Sequence, residues 1–217
     1  EKLAEYAKGI IGVAGKIVDF FVAIIVSVYL LLQRKQIMEF LKKLGRATLK
    51  EDTYRNIGKY FDRTNNIFFN FLAGQILDGI IIGIITSIAM SIIGVKYAVL
   101  LGFMIGIFNL IPYFGAIIAV IISAMITLLT GGIWQALIMV IVVTILQQID
   151  ANIINPKILG NSLKISPLLV IFAVAVGGAY FGFWGMFLSV PLIAVIKLLL
   201  TDYIEYKDKM NLTKRNT

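Results

Sequence analysis

A polar segment interrupts an otherwise apolar sequence and reads Gln147-Gln148-Ile149-Asp150-Ala151-Asn152-Ile153-Ile154-Asn155-Pro156. The apolar stretch that follows is broken by glycine and proline, namely at Gly177, Gly178, Gly182, Gly185 and Pro191. Polar groups and helix breakers are costly in lipid unless they line a cavity or a pathway. The pattern therefore predicts a protein that moves something across a membrane.

The composition indicates a membrane protein. Hydrophobic residues make up 59% of the 217 residues and charged residues only 15%, which is far more apolar than a soluble domain of this size needs. Residues 64–200 hold two acids and four lysines, whereas residues 33–63 hold nine Lys/Arg and four Asp/Glu. We therefore expect a bilayer-embedded body with a basic segment, and the net charge of +8 indicates contact with anionic lipid rather than nucleic acid.

The sequence contains neither Cys nor His. This removes disulfides, thiolate nucleophiles, imidazole-based zinc or haem sites and the commonest general base. A P-loop and a dinucleotide-binding fingerprint are missing as well. We therefore expect neither an enzyme nor a bound metal or cofactor, apart from a coupling sodium ion or proton.

Hydropathy divides the chain into four parts. Residues 1–32 contain the first visible membrane helix, Ile10–Leu32, which is long enough to span a bilayer. Residues 33–66 read either as a basic amphipathic segment at the membrane surface or as a solvated helical linker, and in both cases their charge places them in the cytoplasm. Residues 67–200 form a transmembrane core and residues 201–217 a cytoplasmic tail.

The core consists of two similar halves, 67–130 and 133–200. In each half a long apolar helix precedes a shorter apolar pair that is interrupted by glycine or proline. We predict an all-α, polytopic membrane fold with two re-entrant hairpins in an inverted arrangement. Six full spans between Asn66 and Thr201 would leave the tail on the same side and stay an alternative. The residues predicted to break the hairpins are Pro112, Gly115, Pro156, Gly177, Gly178, Gly182, Gly185 and Pro191.

Asp78 is the only acidic residue between Asp62 and Asp150. It shares one half of a helical wheel with Asn70 and Gln75, counting about 100° per residue. A carboxylate inside a membrane can bind a cation or exchange a proton. The alternative is that Asp78 is paired or reaches water near a helix end.

The amides of the polar segment fall on one helical stripe, because Gln148, Asn152 and Asn155 recur at i, i+4 and i+7. On this interpretation Asp150 points elsewhere and Pro156 ends the helix. Such amides either hydrogen-bond a polar solute or tie neighbouring helices together. The candidate pathway residues are Gln75, Asp78, Asn109, Gln147, Gln148, Asp150, Asn152 and Asn155.

Two further patterns predict packing rather than chemistry. Lys16 and Asp19 are three residues apart in the first helix, which favours a structural ion pair. Glycines four residues apart let helix backbones approach closely, within a protomer or between protomers. These glycine pairs are Gly79/Gly83, Gly102/Gly106 and Gly178/Gly182.

The order of the polar and glycine motifs resembles the AI-2E transporter family, which is named after the exporter of the signal autoinducer-2. The agreement covers most of the chain. Asp150 stands where the family often carries an acidic residue, whereas Asp78 lies outside the matching motifs. The matching motifs are Gly74-Gln75, Leu100-Leu101-Gly102, Ile111-Pro112-Tyr113-Phe114-Gly115, Gln147-Gln148-Ile149-Asp150, Asn155-Pro156-Lys157-Ile158-Leu159-Gly160, Ser166-Pro167-Leu168, Gly177-Gly178, Gly182, Gly185-Met186 and Ser189-Val190-Pro191-Leu192.

The resemblance implies a multi-pass, homo-oligomeric protein of the bacterial cytoplasmic membrane, with further membrane helices N-terminal to this chain. We expect ion- or proton-coupled export of a small polar solute such as autoinducer-2, and sodium/proton antiport is the first alternative. A non-transporting oligomeric membrane scaffold is the second. The expected partners are the lipid bilayer, a small polar solute or monovalent cation and further copies of the chain, without nucleic acid.

Overall fold

A computed structural model describes the backbone of residues 2–160 and 165–215. Every regular element in these ranges is helical, which confirms the all-α prediction. The chain forms two compact units, Glu1–Tyr60 and Phe61–Thr217. The predicted pair of Lys16 and Asp19 lies outside the described residues, because the side chain of Lys16 is not among them.

The first unit contains α1 (Lys2–Leu32), α2 (Arg34–Thr48) and the first residues of α3 (Glu51–Ile93). Helix α1 and helix α2 meet at an angle of 66°. The apolar side chains of α2, including Leu41 and Leu44, are exposed beside its lysines. A helix with this division between an apolar and a basic face suits the surface of an anionic membrane.

Four further helical elements follow α3 in the second unit. They are α4 (Ala98–Phe108), α5 (Phe114–Ile149), α6 (Asn155–Leu159) and α7 (Pro167–Arg215), with a π-helix, Asp150–Ile154, between α5 and α6. Non-helical glycines divide two of these helices. Gly132 separates α5a (114–131) from α5b (133–149), and Gly182 separates α7a (167–181) from α7b (183–215).

The chain reverses direction at both of these glycines. Ala119 of α5a and Met139 of α5b belong to one buried cluster, although a straight helix would hold them about 30 Å apart. At the second reversal the backbones of Gly177 and Gly185 touch so closely that a Cβ atom on either would clash with the other. Gly132 and Gly182 have φ angles of 81° and 59°, which only glycine adopts at little cost.

Two helical hairpins therefore occupy the predicted positions. The first consists of α4 and α5a and turns at residues 109–113, where Tyr113 has a φ of 65°. The second consists of α7a and α7b and turns at Gly182. That each hairpin enters and leaves the bilayer on one side, and that the two are inverted, stay predictions.

Several residues predicted to break helices lie inside them. Gly115 is in the first turn of α5a, where its missing Cβ makes room for the Phe108 carbonyl oxygen. Gly177, Gly178 and Gly185 flank the turn at Gly182 and allow its arms to pack. Pro191 lies within α7b and does not end it.

The prediction that Pro156 ends its helix is wrong. Pro156 occupies the first turn of α6, where a helix does not need the N–H group that proline lacks. The helix ends instead at Gly160, which has a φ of 58°.

Three described segments are long and apolar enough to cross a membrane, which confirms the polytopic membrane class. The bent pair of α1 and α2 would add a fourth if it counts as one span. The three segments are Glu51–Ile93, Phe114–Leu159 and Pro167–Asp208.

The predicted glycine pairs of α3 and α4 pack against each other. A Cβ atom on Gly79 would lie 2.6 Å from the Gly106 carbonyl oxygen, and one on Gly83 would lie 3.4 Å from that of Gly102. Backbone contact between the helices follows, because no side chain separates them. This close crossing brings the end of α4 beside the middle of α3.

Gly79→Ala should destabilise the protein by about 1–3 kcal/mol, because the added methyl group forces α3 and α4 apart. Gly58→Ala in the same helix is the matched control. A Cβ atom at position 58 meets nothing within 4 Å, so alanine should be neutral or stabilise by about 0.5–1 kcal/mol. Thermal unfolding in detergent measures both effects, and equal midpoints for the two variants would contradict the packing argument.

Candidate functional site

Polar side chains from both halves of the core meet in the interior of the second unit. The first half contributes Gln75 and Asp78 from α3 and Asn109 from the break after α4. The second half contributes Asp150 from the π-helix and Asn155 from α6. Asn155 is half-buried and the other four are buried. We call these five residues the polar cluster.

Asn109 connects the two carboxylates of the polar cluster. Its Nδ2 group donates one hydrogen bond to Asp78 Oδ2 at 2.8 Å and another to Asp150 Oδ2 at 3.0 Å. An amide NH₂ group has two donors, so one side chain serves both acids. The remaining oxygens, Asp78 Oδ1 and Asp150 Oδ1, are buried and accept no hydrogen bond from any described residue.

The other two amides complete the network. Asn155 Nδ2 lies 3.3 Å from Asp78 Oδ2 and 3.4 Å from Gln75 Oε1. Gln75 Nε2 in turn donates to the backbone carbonyl of Asn109 at 3.2 Å. Gln75 therefore holds the backbone at the break, while Asn109 and Asn155 approach the carboxylates from different elements.

Local structure explains how each residue reaches the cluster. The crossing of Gly79 with Gly106 places Asn109, three residues after Gly106, beside Asp78. On the other side, Gly74 lets Leu159 pack against α3, with 2.5 Å between the position of a Cβ atom and Leu159 Cδ2. Asn155 lies one turn before Leu159, so this contact places its amide beside α3.

The π-helix determines the direction of Asp150 and Asn155. In an α-helix, the side chains of two residues that are five apart point about 140° away from each other. In a π-helix the backbone hydrogen bond joins residues five apart, which brings their side chains closer to one side. Because Asp150–Ile154 is a π-helix, both side chains face the cluster. Such π-bulges often occur at functional sites.

The predicted single stripe of amides is therefore wrong. Asn155 faces the interior together with Asp150, whereas Gln148 and Asn152 are exposed and Gln147 is half-buried. Among the described residues, none of these three side chains forms a hydrogen bond with the polar cluster. Asn152 Nδ2 donates instead to the Gln148 carbonyl at 2.7 Å. The stripe assumed an unbroken α-helix, and the π-helix changes the register after residue 149.

A sequence signal for the direction of Asp150 does exist. Ala136, Met139 and Val143 form the buried side of α5b, and Asp150 follows Val143 by seven residues, which is two α-helical turns. This apolar spacing points Asp150 towards the core.

Three buried residues with hydroxyl groups are not among the candidates that the sequence pattern predicted. Thr86, Ser123 and Thr127 have side-chain oxygens that contact no hydrogen-bond partner among the described residues. Their spacing in the sequence could have indicated them. Thr86 follows Asp78 by eight residues, and Ser123 and Thr127 are four residues apart, so each pair lies near one helix face.

The chemistry of the polar cluster suits a proton or a monovalent cation. Two carboxylates within about 6 Å of each other repel strongly where water is excluded, and a positive charge between them removes that repulsion. The described residues contain no group of three or more His, Cys, Asp or Glu side chains that could hold a metal ion. Two free carboxylate oxygens and neighbouring amide oxygens are hard ligands, the kind that alkali cations accept.

Comparison with known proteins identifies the family. A family model described as AI-2E family transporter matches residues 1–205. The chain belongs to the AI-2E transporter family. Three residues of the polar cluster lie in motifs that this AI-2E family member shares with its family. They are Gln75, Asp150 and Asn155.

Several curated relatives have names that provisionally describe transport. YrrI of Bacillus subtilis, provisionally a transport protein, is 31% identical over 201 residues, which are 92% of this chain and 56% of YrrI. YueF of the same organism, also provisionally a transport protein, is 31% identical over 70% of this chain and 41% of YueF. PerM of Escherichia coli, provisionally a permease, is 27% identical over 66% of this chain and 41% of PerM. The chain thus spans about half the length of these relatives.

Asn109→Ala should destabilise this AI-2E family member by about 1.5–3 kcal/mol for each charge-assisted bond that is lost, because two buried carboxylates lose their shared donor. Asn152→Ala removes an exposed amide of the neighbouring segment and is the matched control. Thermal unfolding of the two purified variants makes the comparison. If both unfold at the wild-type midpoint, Asn109 does not hold the carboxylates together.

Proposed function

We propose that this chain forms the ion-coupling part of a membrane transporter, in which Asp78 and Asp150 bind a proton or a monovalent cation. One observation carries this proposal: the two buried carboxylates share the Asn109 amide, and each keeps one oxygen that has no hydrogen-bond partner among the described residues. Ionisable groups inside membrane segments are costly and occur where ions or protons are handled.

The two halves of the core each supply one carboxylate, which supports coupling between binding and movement. Asp78 belongs to 67–130 and Asp150 to 133–200, and Asn109 and Asn155 make their bonds to the carboxylates across the two halves. Loading the pair with a positive charge draws the halves together, and removing it restores repulsion between them. Ion binding would thereby favour one arrangement of the halves over another.

The breaks in the hairpins supply the flexible points that alternating access needs. Residues 109–113 interrupt the first hairpin directly beside the carboxylates, and Gly182 forms the turn of the second. Irregular backbone at membrane depth is tolerated where it lines a cavity or is buried in protein. We propose that the hairpins move against the long helices when the ion binds or leaves.

We propose as cargo a small polar solute, such as the autoinducer-2 signal after which the family is named, moving outwards. Gln148 and Asn152 support this role, because their exposed side chains lie within a turn of Asp150 and amides hydrogen-bond polyhydroxylated molecules. Sodium/proton antiport is the second candidate. The free oxygens of Asp78 and Asp150 favour it, since they can hold a cation without an organic solute.

The proposed setting is the bacterial cytoplasmic membrane, with residues 33–66 and the C-terminus in the cytoplasm and several copies of the chain in one assembly. The basic residues of 33–66 support this orientation. An apolar groove between α3 and α4, lined by Ile80, Ile84 and Phe103 among others, offers a surface on which another copy could pack. The proposal includes neither an enzymatic step nor a nucleic-acid partner.

Asp78→Asn and Asp150→Asn should each reduce cation-coupled flux by about 10-fold or more, because each substitution removes one carboxylate and leaves a single one to hold the ion. Flux of protons and of ²²Na⁺ is measured in proteoliposomes under imposed pH and sodium gradients. Asp62→Asn, an exposed acid in the same helix α3, should retain wild-type flux. Full exchange by both cluster variants would refute ion coupling at this site.

Vesicles of both orientations should identify the cargo. Everted and right-side-out vesicles that contain the protein are loaded with labelled autoinducer-2 or ²²Na⁺, with and without an ion gradient. Solute movement that depends on the gradient supports the exporter, and cation exchange without solute movement supports the antiporter. Absence of any flux would leave the membrane scaffold as the correct function.

A further inference from the structure

Three hydroxyl groups lie buried in the helical core without hydrogen bonds. Thr86, Ser123 and Thr127 are each 0% exposed, and none of their side-chain oxygens has a partner among the described residues. A buried polar group without a partner costs stability. Three of them in one region therefore require an explanation.

The helices themselves do not prevent these hydroxyls from forming bonds. Ser87, Ser91 and Thr130 lie in the same helices and each donates to the carbonyl four residues earlier, at 2.7, 2.7 and 2.8 Å. Serine and threonine in helices often satisfy their hydroxyl in this way. These three hydroxyls are more exposed than Thr86, Ser123 and Thr127 and are nevertheless the paired ones, which is the reverse of what stability alone favours.

The positions of the three hydroxyls connect the polar cluster with one end of the bundle. Thr86 follows Asp78 by two i+4 steps on the buried side of α3, about 12 Å along the helix axis. Ser123 and Thr127 continue the buried side of α5a beyond Ala119. Ile82 and Met90, which flank Thr86 along α3, pack in one cluster with Ala119.

Thr127 is the last buried residue of α5a before the exposed turn at Gly132. At this end Gln135 Nε2 donates to the Ile93 carbonyl at 3.3 Å and ties the turn to the end of α3. The line of hydroxyls thus runs from the carboxylates to the surface at Gly132.

We infer that Thr86, Ser123 and Thr127 form the path by which a monovalent cation travels between the Asp78–Asp150 pair and the end of the bundle at Gly132. This inference rests on the proposed function. Each hydroxyl offers two lone pairs and one rotatable donor, so it can coordinate a sodium ion or pass on a proton through intervening water. A hydroxyl bonded to its own helix would be less available for either task.

The path is closed in the conformation described, because Thr86, Ser123 and Thr127 are fully buried. It opens when α5a moves away from α3. The positive φ of Gly132 and the break at residues 109–113 lie at the two ends of α5a, so this helix can move with little change in its own backbone bonds.

Valine and alanine substitutions test the path. Thr86→Val, Ser123→Ala and Thr127→Val remove the hydroxyl with little change in volume, and Thr130→Val and Ser91→Ala are matched controls that remove paired hydroxyls. We expect Thr86→Val to reduce cation flux in proteoliposomes at least 10-fold while its unfolding midpoint stays equal or rises. The controls should retain wild-type flux, and Thr86→Ser should restore it.

Two arms identify the ion. One arm imposes a pH gradient without sodium, and the other imposes a ²²Na⁺ gradient at constant pH. A loss of flux in Thr86→Val in either arm supports the path and assigns it to the proton or to sodium. Wild-type flux in Thr86→Val, Ser123→Ala and Thr127→Val would overturn the path. The path also fails if Thr86→Val loses flux together with a lower unfolding midpoint and Thr86→Ser does not restore the flux.

Asp78→Asn, measured in parallel, separates this inference from the proposed function. If Asp78→Asn loses flux and the three hydroxyl variants do not, the path is wrong and the ion site stands. If Asp78→Asn and Asp150→Asn both retain full flux, the ion site fails and the path fails with it.

Discussion

Two carboxylates are held together in an apolar interior by a single amide group, that of Asn109. Asp78 and Asp150 come from different halves of the core, and their charges repel each other unless a donor or a cation lies between them. Asn109 can bond both only because the chain breaks after α4 and because glycines bring α4 onto α3. The glycine crossing, the break and the π-helix all serve the geometry of this one contact.

The same contact supports the proposal that the site binds an ion. A network that is fully satisfied stabilises one arrangement, whereas this network leaves one oxygen on each acid without a hydrogen-bond partner in the part of the chain that the structure describes. The unpaired oxygens cost stability in the state described, and a bound cation removes that cost. Buried polar atoms that lack partners are more typical of functional sites than of structural ion pairs.

Glycine and proline, the residues that commonly break helices, have different effects in this protein. Gly132 and Gly182 adopt φ angles that other residues avoid, and the chain reverses there. Pro156 and Pro191 remain within helices, because a proline in a first turn loses no bond and a single missing bond can be tolerated inside a long helix. Glycine therefore produces these two reversals, whereas these prolines change the topology little.

The sequence by itself determined the membrane class, the all-helical fold and the positions of the hairpin turns, because hydropathy and glycine spacing act locally along the chain. Its motifs also carried the resemblance to the family. It also singled out Asp78 and Asn109 as candidates. Apolar spacing points Asp150 towards the core, but only the tertiary structure decided that Asn155 joins Asp150 beside Asp78 while Gln148 and Asn152 do not. The physical reason is that a π-helix changes side-chain direction in response to contacts far away in sequence, such as that of Leu159 with Gly74, and no local periodicity records those contacts.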